Sequence, residues 1–225
     1  MPRYSMDRQL NQLEDEVLLL GSMVEQAVLS SVETLSRRDI RAAHQIHESD
    51  RLINEKRFAI ENNILIIIAT QQPMAKDLRL LTAMLEVITE LERMGDYAKG
   101  IAKVVIRLGD SEIPIPIRDI TQMAELAVSM LHRALGAFIT ENPSIAVTIP
   151  KEDDAVDGFY NRIYNKIVSS MIANPEVIDH ANLLLWVIHN LERMADRVTN
   201  ICERTVFITT GELFELDQTD DEDSE

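Results

Sequence analysis

Apolar residues along this chain fall at steps of three and four, not two. Leu10, Leu13, Val17, Leu20, Val24, Val28, Val32 and Leu35 form the first such series. That spacing puts them on one stripe of a helix and excludes strand alternation. With a rise of 1.5 Å per residue, the helix spans about 40 Å. Asp39 suits the N-cap of a second helix, whose apolar face is Ala43, Ile46, Ile53, Ile60, Ile64 and Ile67. Pro73 marks the next turn, and a third series follows at Leu81, Met84, Val87, Leu91, Met94, Ala98, Ile101 and Val105. The segment from Leu108 to Pro116 is the clear linker. Beyond it the pattern predicts a fourth helix from Ile117 to Ile139. A fifth opens at Asn142-Pro143, a cap followed by proline at the first helical position, and Pro150 kinks or interrupts its first turns. Pro175 marks another turn. The sixth helix is striped by Leu184, Val187, Leu191, Met194, Val198 and Ile201 and ends at Gly211. Trp186 and the methionines at helical spacing read as core.

The second three helices repeat the first. An offset of 103 residues superimposes Asp39 on Asn142, Ile46 on Ile149, Asp50 on Asp153, Ile53 on Val156 and Ile60 on Ile163. An offset of 100 superimposes Leu91-Glu92-Arg93-Met94-Gly95-Asp96 on Leu191-Glu192-Arg193-Met194-Ala195-Asp196, and six of the eleven residues from 91 to 101 equal their mates. The expected fold is therefore all-α: a tandem repeat of two three-helix bundles, six long antiparallel helices in all. The first repeat covers 7–107, the linker 108–116, the second repeat 117–211, and an acidic tail, expected to be disordered, 212–225.

Composition narrows the possible partners. The chain has 225 residues, 22 basic and 38 acidic side chains and a formal charge of −16. Such acidity speaks against nucleic acid and anionic lipid, which reward clustered Lys and Arg, and favours cations and basic protein surfaces. Eight of the carboxylates lie in 212–225. The single cysteine, Cys202, excludes an intramolecular disulfide and a thiolate metal cage. The longest apolar run, Ile64 to Ala69, is far short of the roughly 20 residues of a membrane span. Charges follow Met6 where a signal core would be apolar, so direct membrane insertion is not expected and a cytoplasmic location is.

The repeated Leu-Glu-Arg-Met-x-Asp carries the candidate chemistry. Glu92 and Asp96 are one helical turn apart, and two like charges there repel unless a cation lies between them. Helix 2 runs back along helix 3 and brings Asp50 to their level. Asp50 also shares a side with Ile46 and Ile53, an odd place for a carboxylate unless it is paired or ligates something. Asp153, Asp157, Glu192 and Asp196 form the equivalent set in the second repeat. Clusters made only of carboxylates suit hard cations. The plainer alternative is a solvated acidic face with Arg93 and Arg193 pairing nearby. Asp77 and Arg79 read as helix-start chemistry. His44 and His47 lack mates in the second repeat, as His189 lacks one in the first. No Glu-x-x-His, Gly-rich phosphate loop or nucleophile elbow is present.

These motifs resemble the PhoU family of regulators of phosphate uptake. Besides the two Leu-Glu-Arg-x-x-Asp motifs, Gln71-Gln72-Pro73-Met74-Ala75-Lys76-Asp77-Leu78-Arg79 is similar to the family's first turn. Asp50-Arg51-Leu52-Ile53-Asn54 and Asp153-Asp154-Ala155-Val156-Asp157 are similar to its helix-2 motif. The resemblance covers residues 7–211. It implies a non-enzymatic adaptor between the ATPase subunit of a phosphate ABC transporter and a phosphate-sensing histidine kinase, as a homodimer, peripheral at the inner membrane through its partners. It also implies metal clusters at Glu92/Asp96 and Glu192/Asp196, iron first, with zinc, manganese and magnesium as alternatives. The family often has His where this chain has Arg197. A metal-free structural adaptor and, more distantly, a metal-dependent hydrolase or oxidase are the other classes in play.

Overall fold

The computed structural model describes residues 2–109, 111 and 113–216. Its long helices are α1 (Pro2–Arg37), α2 (Ile40–Gln71), α3 (Ala75–Leu108), α4 (Ile117–Ile139), α5 (Asp153–Ala173) and α6 (Ile178–Thr210), and the described residues hold no strand. The turns follow from local chemistry. The Asp39 carboxylate accepts the Ala42 N–H at 2.9 Å and caps α2. Gln72 takes a left-handed conformation (φ 49°) at the end of α2, and Pro73 prevents the helix from continuing. Gly211, at φ 79°, closes α6 with its N–H on the Phe207 carbonyl at 2.8 Å.

The fifth helix starts later than its sequence suggests. Asn142 does cap a turn, accepting the Ile145 N–H at 3.2 Å, but that turn ends at Ala146. Pro150 has no N–H to give and its ring crowds the preceding turn. A short 3-10 turn, Pro150–Glu152, follows, and α5 begins only at Asp153. The proline therefore ends the first attempt at a helix instead of kinking it. The linker is held as well: the Arg38 guanidinium donates to the carbonyls of Ser111 and Ile113, the latter at 2.8 Å.

The two repeats share one core. α1 packs on α2, α3 and α4; α6 packs on α3, α4 and α5. α2 and α5 lie outside and bury single stripes such as Val156, Ile163 and Ile167. Leu10 through Leu35 of α1 join the stripes of α3, α4 and α6 in a continuous apolar cluster, and each fully buried aliphatic chain stabilises by roughly 1.5–3 kcal/mol. The Met6–Arg37 stretch is long and apolar enough by length and composition to cross a membrane. Its stripe from Leu10 to Leu35 is buried in the bundle, while Leu18, Leu19 and Leu29 face outward. Gly21 lets α1 approach α4: a Cβ there would meet Leu135 Cδ1 at 2.3 Å. Past Gly211 the chain turns back, and the Leu216 N–H donates to Glu203 Oε1 at 2.9 Å. The rest of the expected tail, 217–225, lies outside the described residues.

Candidate functional site

The stripe of α3 fixes which side chains meet α2. Leu91, Met94 and Ala98 are buried, which leaves Glu92 half-buried and Asp96 exposed along the edge of the stripe. Gly95 sits between them with no side chain, and a Cβ there would lie 3.1 Å from Ile53 and 3.9 Å from Asp50 Oδ1. Helix α2 is thereby drawn close enough to set Asp50, only 5% exposed, against this edge. Asp50, Glu92 and Asp96 thus lie near enough for their charges to act on one another.

A fourth group is present that the sequence reading did not single out. Lys99 Nζ donates to Asp50 Oδ2 at 2.6 Å and stands 3.7 Å from Asp96 Oδ1. Asn54 Nδ2 adds a hydrogen bond to the same Asp50 oxygen at 3.1 Å. The hydrogen bond to Asp50 raises the Lys99 pKa, with the charges of Asp50 and Asp96 acting the same way. Burial raises the Glu92 pKa first, then Asp96 and Asp50; Arg57 and Arg93 oppose the rise. The signal was available: Lys99 follows Asp96 by three residues and Glu92 by seven, which is the same helical face.

In the second repeat, Asp157, Glu192 and Asp196 come together, and Asp153 opens α5 one turn before Asp157. Burial raises the Glu192 pKa most, followed by Asp196 and Asp157, while His189 and Arg193 pull it down. Glu192 Oε2 is buried and accepts no hydrogen bond, although His189 Nδ1 lies 3.3 Å away. Tyr160 stands close by, its pKa raised by burial and by Glu192. The repeat offsets pair Lys99 with Thr199, Arg57 with Tyr160 and Asn54 with Asp157. Thr199 is fully buried, and its hydroxyl has no hydrogen-bond partner.

The two clusters differ as cation sites. The second offers carboxylate oxygens and one imidazole, a donor set that suits iron, manganese or magnesium. In the first, the Lys99 ammonium already pairs with the buried carboxylate. Among the described residues, no three His, Cys, Asp or Glu side chains converge in metal-binding geometry.

Two other residues depart from expectation, and Arg197 takes a role the sequence did not assign. Trp186 is 41% exposed rather than core; it lies over Gly100 at the edge of a groove of about 810 Å³, with Lys99, Lys103 and Arg107 of α3 on one side and Asp179 of α6 on the other. Arg79 reaches across to the end of α6, Nε to the Ile208 carbonyl at 3.4 Å, where a cation meets the negative helix terminus. Arg197 bridges the repeats, donating to Glu90 Oε2 and Tyr97 Oη, both at 2.6 Å.

Comparison with known proteins agrees with this architecture. The family model described as the PhoU domain matches residues 17–105 and again 120–205. A "phosphate-specific transport system accessory protein PhoU homolog" of Clostridium acetobutylicum is 34% identical over 217 residues, 96% of this chain and 99% of the relative. A Streptococcus pneumoniae protein of the same name is 35% identical over 214 residues, 95% and 99% of the two chains. The crystal structure of the phosphate transport system regulatory protein PhoU from Streptococcus pneumoniae matches with a TM-score of 0.86 at 33% identity, covering 93% of this chain and 99% of that one. That of PhoU from Pseudomonas aeruginosa matches with a TM-score of 0.85 at 28% identity, covering 92% and 99%.

Proposed function

Since the chain belongs to the PhoU family, we propose that it is a non-enzymatic regulator of phosphate uptake. The observation that carries this reading is the paired domain match, 17–105 and 120–205, together with relatives named as accessory proteins of the phosphate-specific transport system that align over 99% of their length. In finer detail, the bundle acts as an adaptor between the ATPase subunit of a phosphate ABC transporter and a phosphate-sensing histidine kinase. It holds the kinase in its repressing state when phosphate is plentiful. Its place is in the cytoplasm, at the inner face of the membrane through these partners, and it works as a homodimer. Exposed Phe58, Leu65 and Ile66 on α2 and Leu19 on α1 supply apolar surface for such contacts.

A metal, iron first, with manganese, magnesium or zinc as alternatives, belongs to this reading. Asp157, Glu192 and Asp196, with Asp153 one turn away, would hold it. Its charge would relieve the repulsion among these carboxylates and brace α5 against α6. The Lys99–Asp50 ion pair, which meets the buried carboxylate of the first repeat with an ammonium, favours a second reading, an adaptor that works without metal.

Deleting the gene tests the regulatory role. Phosphate-starvation genes should be derepressed in phosphate-rich medium, and unchanged expression would refute the proposal. Co-purification of transporter ATPase and kinase with the tagged chain tests the adaptor role; recovery of neither would refute it. Metal titration followed by calorimetry separates the two readings of the bundle.

A further inference from the structure

The core helices form a ring in which α1 and α6 each pack on both α3 and α4. Three seams of this ring are filled by the chain itself. α2 covers the seam between α1 and α3, α5 covers that between α4 and α6, and α1 meets α4 closely where Leu135 lies against Gly21. The seam between α3 and α6 instead opens into the groove of about 810 Å³ beside Trp186. We infer that this groove receives a helix of a partner protein, one that sets a large apolar side chain against Trp186 and two carboxylates, one turn apart, against Lys103 and Arg107. The inference rests on the adaptor reading given above.

The form of the occupant follows from the seam. α3 and α6 run antiparallel, since Gly100 meets Trp186 while Arg79 meets Ile208. Elsewhere in this fold a channel between two such helices is filled by a third, as α2 and α5 show. Eleven residues of α3 separate Asp96 from Arg107, the two ends of the groove; at 1.5 Å per residue that is about 16 Å, room for about three helical turns. The floor is apolar. Val104 is 4% exposed, and the Trp186 ring rests on Gly100 with no side chain between them. Trp186 itself stays largely open to solvent, a broad rigid surface of the kind on which protein interfaces concentrate their binding energy.

The walls set the charge of the occupant. Lys103 and Arg107 are exposed and one turn apart on α3, where like charges repel. Among the described residues neither has an ion-pair partner, although the chain carries a net charge of −16. Two carboxylates at the same spacing on a facing helix would meet both cations. Lys99 is already engaged by Asp50 and Asp96, so it closes one end of the groove instead of extending the cationic wall. Asp179 of α6 stands on the opposite wall and suits a lysine or arginine on the other edge of the occupant. A polyanion would meet Asp96 and Asp179 as repulsion; an amphipathic helix of mixed charge does not. Because α3 comes from the first repeat and α6 from the second, such a helix grips both halves at once.

The test presents the full chain to the purified transporter ATPase subunit and, separately, to the intact kinase in detergent, and measures affinity by biolayer interferometry. Lys103→Glu with Arg107→Glu should weaken binding of the partner that docks here by about tenfold or more, and so should Trp186→Ala. Both cations are exposed, so the charge-reversed protein should keep its fold, and a thermal melt checks that it does. Arg51→Glu with Lys76→Glu changes the net charge equally at two exposed positions outside the groove and should bind as wild type does. Added salt should weaken wild-type binding, and weaken it less in Lys103→Gln with Arg107→Gln. In a chain carrying 5-fluorotryptophan at its single tryptophan, the fluorine resonance should move when the partner is added. Wild-type affinity in the Lys103 and Arg107 variants, an equal loss in the control, or an unmoved fluorine resonance overturns the inference and leaves the adaptor reading standing. If wild type binds neither protein, the adaptor reading falls and takes the inference with it.

Discussion

Tyr97 and Arg197 hold the same place in the two copies of the motif, and they touch: Arg197 Nε donates to Tyr97 Oη at 2.6 Å. A contact between equivalent residues places the midpoint of the duplication at the α3–α6 crossing. Arg193 and Arg197 both lie 5.5 Å from the Tyr97 ring, and Arg197 continues to Glu90, its side chain and that of Glu90 being 14% and 13% exposed.

Removing this lock should destabilise the whole bundle. Arg197→Ala leaves Glu90 with the Arg93 guanidinium, 3.3 Å from its other oxygen, and should cost about 2–3 kcal/mol and lower Tm by roughly 4–12 °C in a chain of this size. Arg197→Lys should recover only part, because an ammonium cannot present the guanidinium fork to both partners. Thermal melts of the three proteins decide it; an unchanged Tm for Arg197→Ala would show that the lock holds nothing.

Two glutamates should respond to pH in opposite directions. The folded-state pKa of Glu192 is raised by burial and by Asp196, so the folded chain holds this proton to higher pH than the unfolded chain does. Its contribution is favourable below the ordinary value near 4.5 and is lost as pH rises through the folded value. Glu192→Gln should therefore raise Tm of the metal-free protein at neutral pH, with the gain vanishing toward pH 4.5. Glu152 is the reverse case. Two hydrogen bonds from Arg133, each 2.6 Å, hold its pKa down, so its contribution is present at neutral pH and lost as pH falls through the lowered value. Glu152→Gln should lower Tm at neutral pH. Tm against pH for both variants checks the signs.

Gly21 and Gly100 both leave no room for a methyl group, but their neighbours differ. At Gly21 the added carbon meets buried Leu135, and overpacking of this kind costs about 1–3 kcal/mol. At Gly100 it meets the Trp186 ring at 2.0 Å, and that ring has solvent to move into. Gly21→Ala should lower Tm more than Gly100→Ala, while Gly100→Ala alone should red-shift the emission of the single tryptophan.

Gln72 bears a left-handed backbone with an ordinary side chain. Gln72→Gly should relieve strain of about 1 kcal/mol, offset in part by the entropy of the unfolded chain, for a small net rise in the denaturant midpoint. A fall would mean that the Gln72 side chain earns its place by a contact.

Helices and repeat were legible in the sequence because both rest on period, and period survives any detail of packing. The buried stripe of α1, from Leu10 to Leu35, matches the spacing residue for residue. Trp186 was misjudged because spacing reports the face of a helix, not what a facing glycine exposes. The acidic sets were legible as carboxylates on a shared face. Lys99 escaped notice because its partner is 49 residues away on another helix, and only the α2–α3 approach shows that its stem reaches Asp50. The sharing of one core by both repeats also lay beyond the sequence, since an apolar stripe does not name the stripe it meets.

The seam between α1 and α4 joins Gly21 to Leu135, more than a hundred residues along the chain. A ribosome making this protein therefore finishes the first repeat well before the helix that covers it exists. Until α4 emerges, the α1 stripe has one flank bare, a sticky surface of the kind that chaperones hold. Although the halves descend from one unit, they should not fold as beads on a string: the chain becomes committed only when its second half closes over its first.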